Sequence, residues 1–170
     1  MKKHSPLYTR IKKAIDGKFR QLSKDKIDPW QNFNIRKNVK IQKCDGSFIN
    51  FEGVNFSGSI QSALWASNFI PPFLEQIVLE VVARTFSQCE ENKLSPELPM
   101  KETSSLLIEH VKKTYHNMAG IDRRLRGEGF PERLAPRSVN NEIKTMSRFI
   151  DEHIVSEKEL WKSRTNNTEK

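Results

Sequence analysis

Apolar residues recur at three- and four-residue steps in several stretches of this 170-residue chain, and that period predicts helices. The first stretch holds Leu7, Ile11, Ala14, Ile15, Phe19 and Leu22, with Lys12, Lys13, Lys18 and Arg20 on its flanks and back. Ser5-Pro6 supplies its start, with Ser as cap and Pro at the first helical position. A shorter pattern begins at Ser59 with Ile60, Ala63 and Leu64, and Pro71-Pro72 interrupts it and opens the next helix. There Leu74, Ile77, Val78, Val81, Val82 and Thr85 fall within about one third of the circumference. A further helix is expected over about 102–119, through Leu107, Ile108, Val111, Tyr115 and Met118. It ends at Gly120 or runs on through Ile121 and Leu125 to Gly127. The last, about 138–155, carries Val139, Ile143, Met146, Ile150 and Ile154, with a polar end to the chain behind it.

Between these stretches the pattern breaks. Asp28-Pro29 to Phe56 reads as irregular or short extended structure, and Cys44-Asp45-Gly46-Ser47 is a turn signal between Val39-Lys40-Ile41 and Phe48-Ile49-Asn50-Phe51. A small hairpin is expected there. Leu94 to Pro99 reads as a linker, and Gly127 to Pro136 as a loop. No internal repeat is visible. The sum is an all-α domain of four or so helices, most simply a bundle.

Composition narrows the class. Hydrophobic residues make up 36% of the chain, and no run approaches the ~20 apolar residues of a membrane-spanning helix. The start, MKKHSPLYTRIKK, has charge without an apolar stretch behind it, so a signal peptide is not expected. Cys44 and Cys89 are too few for a disulfide scaffold, and the expectation is a reduced, cytoplasmic protein. The net charge of +8 is unevenly placed. Residues 1–43 carry 13 Lys and Arg against 3 Asp and Glu, while residues 44–170 carry 16 against 18. The expected organisation is therefore a basic N-terminal arm (1–43), a helical body (44–158) and a polar tail (159–170). The arm raises nucleic acid or an anionic surface as a partner, and Arg123, Arg124 and Arg126 form a second, smaller basic cluster.

Candidate chemistry is sparse. No phosphate-binding glycine loop, nucleophile elbow or His-Glu-x-x-His pattern is present. The histidines are His4, His110, His116 and His153. Carboxylates and imidazoles facing inward from several helices of a bundle can hold a pair of metal ions. Glu75 borders the apolar stripe of its helix. Glu109 and His116, seven residues apart, share one helix face, away from the apolar stripe. His153 falls near the apolar face of the last helix, and Glu152 points away from it.

The runs Asn68-Phe-Ile-Pro-Pro-Phe-Leu-Glu75, Ser104 to Asn117 and Gly127-Glu-Gly-Phe-Pro131 resemble a bacterial family of predicted metal-dependent hydrolases with a ferritin-like helical fold. Ile35 to Lys40, Phe149 to His153 and Leu160-Trp161 resemble further parts of its pattern, so the likeness spans residues 35–161. It implies Glu75, Glu109, His116 and Glu152 as ligands of a divalent metal, iron or manganese, with His153 the rival to Glu152. It also implies a small-molecule substrate, attacked by metal-bound water or by activated oxygen. Three departures leave that expected site incomplete. Lys112 stands where the pattern has a histidine, Leu74 replaces a glycine, and the stretch after Trp161 lacks the fourth helix's ligands. Two other readings follow from the residues: a non-enzymatic protein using its basic helix on nucleic acid or an anionic surface, and a homo-oligomer in which a second copy replaces the missing fourth helix.

Overall fold

The apolar stripes close on one another. The computed structural model describes residues 4–31, 33, 38–52, 69–127 and 138–167, and they form an all-α bundle carrying one two-stranded hairpin. The helical pattern expected from Ser59 and the loop expected after Gly127 lie outside the described residues.

Helix α1 (Tyr8–Leu22) buries Ile11, Ile15, Phe19 and Leu22, the stripe its spacing predicts. Ser5 is not its cap. Leu7 holds the cap position without a side-chain bond, and the Ser5 hydroxyl donates to Glu102 instead. The chain continues through a π-helical turn (Ser23–Ile27) into the short α2 (Asp28–Gln31). Pro29 explains the widening: it has no N–H to donate, and its ring crowds the carbonyl four residues back. Just before it, the Asp28 N–H reaches the Ser23 carbonyl, five residues back. Trp30 and Phe33, both fully buried, meet edge to face at 5.4 Å.

The hairpin forms where the turn signal placed it. β1 (Asn38–Gln42) pairs antiparallel with β2 (Phe48–Glu52), Asn38 opposite Glu52 and Gln42 opposite Phe48. Gly46 has φ +85°, a conformation that a side chain would strain. Asp45 Oδ1 accepts from the Ser47 N–H at 2.9 Å and from its hydroxyl at 2.6 Å, which closes the turn.

Helix α3 (Ile70–Glu91) holds Pro71 and Pro72 in its first turn, where a missing N–H breaks no helical bond. Its end is a Schellman arrangement. Lys93 takes φ +52°, its N–H bonds the Glu90 carbonyl, and the Leu94 N–H bonds the Cys89 carbonyl at 2.9 Å. Leu94 then packs on the core.

Helix α4 (Glu97–Gly127) starts within the stretch expected to be a linker, because Pro99 is tolerated in a first turn and the Met100 N–H bonds the Pro96 carbonyl. It runs through Gly120, since Ile121 and Asp122 beyond it are buried. Helix α5 (Val139–Asn167) reaches twelve residues past the expected end at 155, and the residues expected as a polar tail are helical as far as Asn167. Trp161 packs on the core and anchors that extension.

Helix α4 packs against α1, α3 and α5, and α5 also packs on α3. The residues expected as an arm contribute Ile11, Ile15, Phe19, Ile27, Trp30 and Phe33 to the same core as Leu74, Val78, Leu107, Val111 and Ile150. Helix α1 is thus the fourth long helix among the described residues, supplied by the N-terminal part of the chain. At the α3–α4 crossing two buried threonines meet at 3.4 Å, each donating to its own helix: Thr85 to the Val81 carbonyl and Thr103 to that of Pro99. Arg124 leaves the expected basic cluster altogether. Its guanidinium donates to the carbonyls of Trp30 (2.8 Å) and Phe33 (3.2 Å), tying α2 to the far half of α4.

Candidate functional site

The described cations of the first 43 residues sort into two sets. One set is committed to the fold. Lys12 pairs with Asp16 at 2.6 Å, and Lys18 pairs with Glu80 of α3. Lys26 donates to the Gln42 carbonyl of the hairpin and lies over the Phe73 ring at 4.8 Å. Lys43 faces Asp45 at 3.4 Å, and Lys40 covers the Phe48 ring. The other set is Arg10, Lys13, Arg20 and Lys24, all exposed, and none makes an ion pair with a described residue. At 3.6 residues per turn, Arg10, Lys13 and Arg20 fall within about 80° of one another, centred about 180° from Ile11, Ile15 and Phe19. With Lys24 on the π turn they make a basic ridge about 20 Å long. The helix turns one side to the core and the other to solvent, and the unpaired charge is all on the second.

Beside the ridge, α1 and α4 enclose a groove of about 310 Å³ lined by Asp16, Phe19, Arg20, His110, Lys113 and Asn117, among others. Its floor is ordered by polar contacts between the helices. The His110 Nε2–H donates to Asp16 Oδ1 at 2.8 Å, and the His110 ring stacks on Phe19 with centroids 4.8 Å apart. The Lys12 ammonium, foremost, together with His110, outweighs burial and holds the Asp16 carboxyl below the usual carboxylate range. A second tie lies nearer the N-terminus, where Glu102 accepts from the Ser5 N–H and hydroxyl and from His4 Nδ1. Burial works against the Glu102 charge, but these bonds together outweigh it and keep its carboxyl low. Lys18 does the same for Glu80 across α1 and α3.

The residues expected as metal ligands lie apart from this groove's floor. Glu75 is half-buried on α3. Glu109 and His116 share a face of α4, as their spacing requires, and that face is exposed. The Glu109 carboxylate is 58% exposed and bonded to Lys113 at 2.6 Å. Glu152 is 70% exposed on α5, with Arg148 at 4.0 Å. His153 lies inward, its ring parallel to that of Phe149 and its Nε2 shielded from solvent, without a hydrogen-bond partner among the described residues. Among the described residues no three His, Cys, Asp or Glu side chains come together in a group that could hold a metal ion.

Sequence reading missed Arg10 as part of the ridge, and Asp16, His110 and Glu102 as interhelical ties. Arg10 carries a legible signal, three residues before Lys13 and opposite the apolar stripe. The ties have none, because their partners are about a hundred residues apart in the chain. The two cysteines are both free. Cys89 is buried, and burial pushes its thiol up to about 11, which leaves it unreactive, while Cys44 is exposed. Among the described residues no helix is long and apolar enough to cross a membrane. No family model, no curated protein and no solved structure matches the chain.

Proposed function

We propose that this protein is a non-enzymatic helical module that binds nucleic acid through the outer face of α1. One observation carries the reading: Arg10, Lys13, Arg20 and Lys24 stand exposed and unpaired in a row, on the side of the helix opposite its buried stripe. Cations left unpaired by the fold are free to replace the counterions of a phosphate backbone. The same helix has no apolar face to offer a bilayer, because Ile11, Ile15 and Phe19 are at most 5% exposed. An interfacial membrane helix needs that face in the lipid, whereas a phosphate backbone needs charge alone.

The test is fluorescence anisotropy of a labelled oligonucleotide with the full chain and with the triple variant Arg10→Glu, Lys13→Glu, Arg20→Glu. Salt-sensitive binding by the first and none by the second is expected, with an unchanged melting transition. Equal binding by both proteins sinks the reading. Tight capture by phosphatidylserine vesicles with no oligonucleotide binding would favour the anionic surface instead. The ferritin-like, metal-dependent reading is supported by the sequence resemblance. Stoichiometric iron or manganese in the purified protein, lost in Glu75→Ala and Glu109→Ala, would restore it.

A further inference from the structure

Gly17 stands in the middle of α1, exposed, four residues after Lys13 and three before Arg20. Nothing in the fold calls for glycine there. Its φ is not positive, so the backbone conformation suits any residue. A Cβ added at this position would meet no atom within 4 Å, so packing does not exclude a side chain either. Glycine is nevertheless the poorest helix former after proline, because it gives up the most backbone freedom on folding. A position that weakens the helix without serving the fold leaves room for something outside the fold to come close to the backbone. Close approach of a ligand to the backbone is one of the uses of glycine.

What flanks Gly17 says what that ligand is. At 3.6 residues per turn it shares the ridge with Arg10, Lys13 and Arg20, so the helix backbone is bared at one point along a row of unpaired cations. On the α4 side the surface falls into the groove of about 310 Å³, lined by Arg20 from α1 and by His110, Lys113, Thr114 and Asn117 from one face of α4. Of the carboxylates by that groove, Asp16 is countered by Lys12 and His110 and Glu109 by Lys113, and Asp28 accepts from the hydroxyl of the lining Ser23 at 3.0 Å. Resting on the reading of the ridge as a nucleic-acid face, we infer that a single strand crosses α1 at Gly17. Its sugar-phosphate backbone touches the helix there, Lys13 and Arg20 hold the phosphates on either side, and the strand descends into the groove between α1 and α4. A saddle one residue wide and a groove of this volume admit one strand.

The experiment compares Gly17→Ala and Gly17→Gln in the full chain, reading melting temperature and the anisotropy of labelled single-stranded and duplex probes of one sequence. Both variants should melt a few degrees higher than the parent, as helix propensity requires. Gly17→Gln should weaken single-strand binding at least tenfold, with Gly17→Ala between it and the parent, although neither changes the charge. Undiminished binding by Gly17→Gln, alongside loss in Arg20→Glu, would overturn the crossing and leave the ridge standing. Undiminished binding in Arg20→Glu and in the triple ridge variant, or no binding by the parent, would overturn both. A lower melting temperature in Gly17→Gln would make the glycine structural and overturn the inference. So would tighter binding of the duplex.

Discussion

His110 of α4 donates through Nε2 to Asp16 of α1 at 2.8 Å, and that bond joins the N-terminal helix to the body of the bundle. It also gives the helix interface a dependence on acid. The Asp16, Glu80 and Glu102 carboxyls are all held below their ordinary values by partners on or beside α1. A group with a lowered folded pKa contributes stability above its unfolded value and loses it as pH falls through the folded one. The urea midpoint should therefore fall steadily once pH drops below about 4. In Asp16→Ala the unfolding free energy from urea denaturation at pH 7 should be lower by about 1–2 kcal/mol, and the acid slope shallower. An acid slope identical to the parent's would show that Asp16 has no part in it.

Ile15 is fully buried in the core that α1 shares with α3, α4 and α5. Ile15→Ala should cost about 2–5 kcal/mol in urea denaturation, as a core truncation does. An independent arm would lose almost nothing. For the same reason, removing residues 1–26 would strip one wall from the core, and charge substitutions are the cleaner probe of the basic ridge.

Lys93 holds a left-handed conformation at the end of α3. That conformation costs a side-chain-bearing residue about 1–2 kcal/mol and glycine almost none. Lys93→Gly should raise the melting temperature by about 2–4 °C, and Lys93→Val should lower it. Differential scanning calorimetry checks both directions.

Lys13 lies on the ridge without an ion-pair partner among the described residues. Four ridge cations engaging a single strand predict a slope of about −3 for log affinity against log salt. Lys13→Gln should make that slope shallower by about 0.7 and leave thermal stability within about 0.5 kcal/mol. An unchanged slope would remove Lys13 from the contact.

Helix existence was legible because the period is a local property. Leu74 to Thr85 and Leu107 to Met118 announce buried stripes through spacing alone, and the Asp45-Gly46 turn through the chemistry of two residues. Ends were less legible. Helix α5 continues to Asn167 because Trp161 finds the core, and α4 begins at Glu97 because Pro99 falls in its first turn. The metal expectation came from short motifs. Glu109 and His116 do share a face, as seven-residue spacing dictates, and it is exposed, as their place away from the apolar stripe indicated.

The sequence by itself determined that this chain is helical, where its apolar stripes run, and that its excess positive charge belongs to the first 43 residues. Only the tertiary structure decided which of those charges are available. Lys12, Lys18 and Lys26 are taken up by Asp16, Glu80 and the hairpin, while Arg10, Lys13, Arg20 and Lys24 are left to solvent. The physical reason is range. Periodicity and the Lys12–Asp16 pair are set by neighbours three and four residues apart, whereas the pairing of Lys18 and Lys26 depends on which distant element packs beside them, and that is settled only when the apolar faces close.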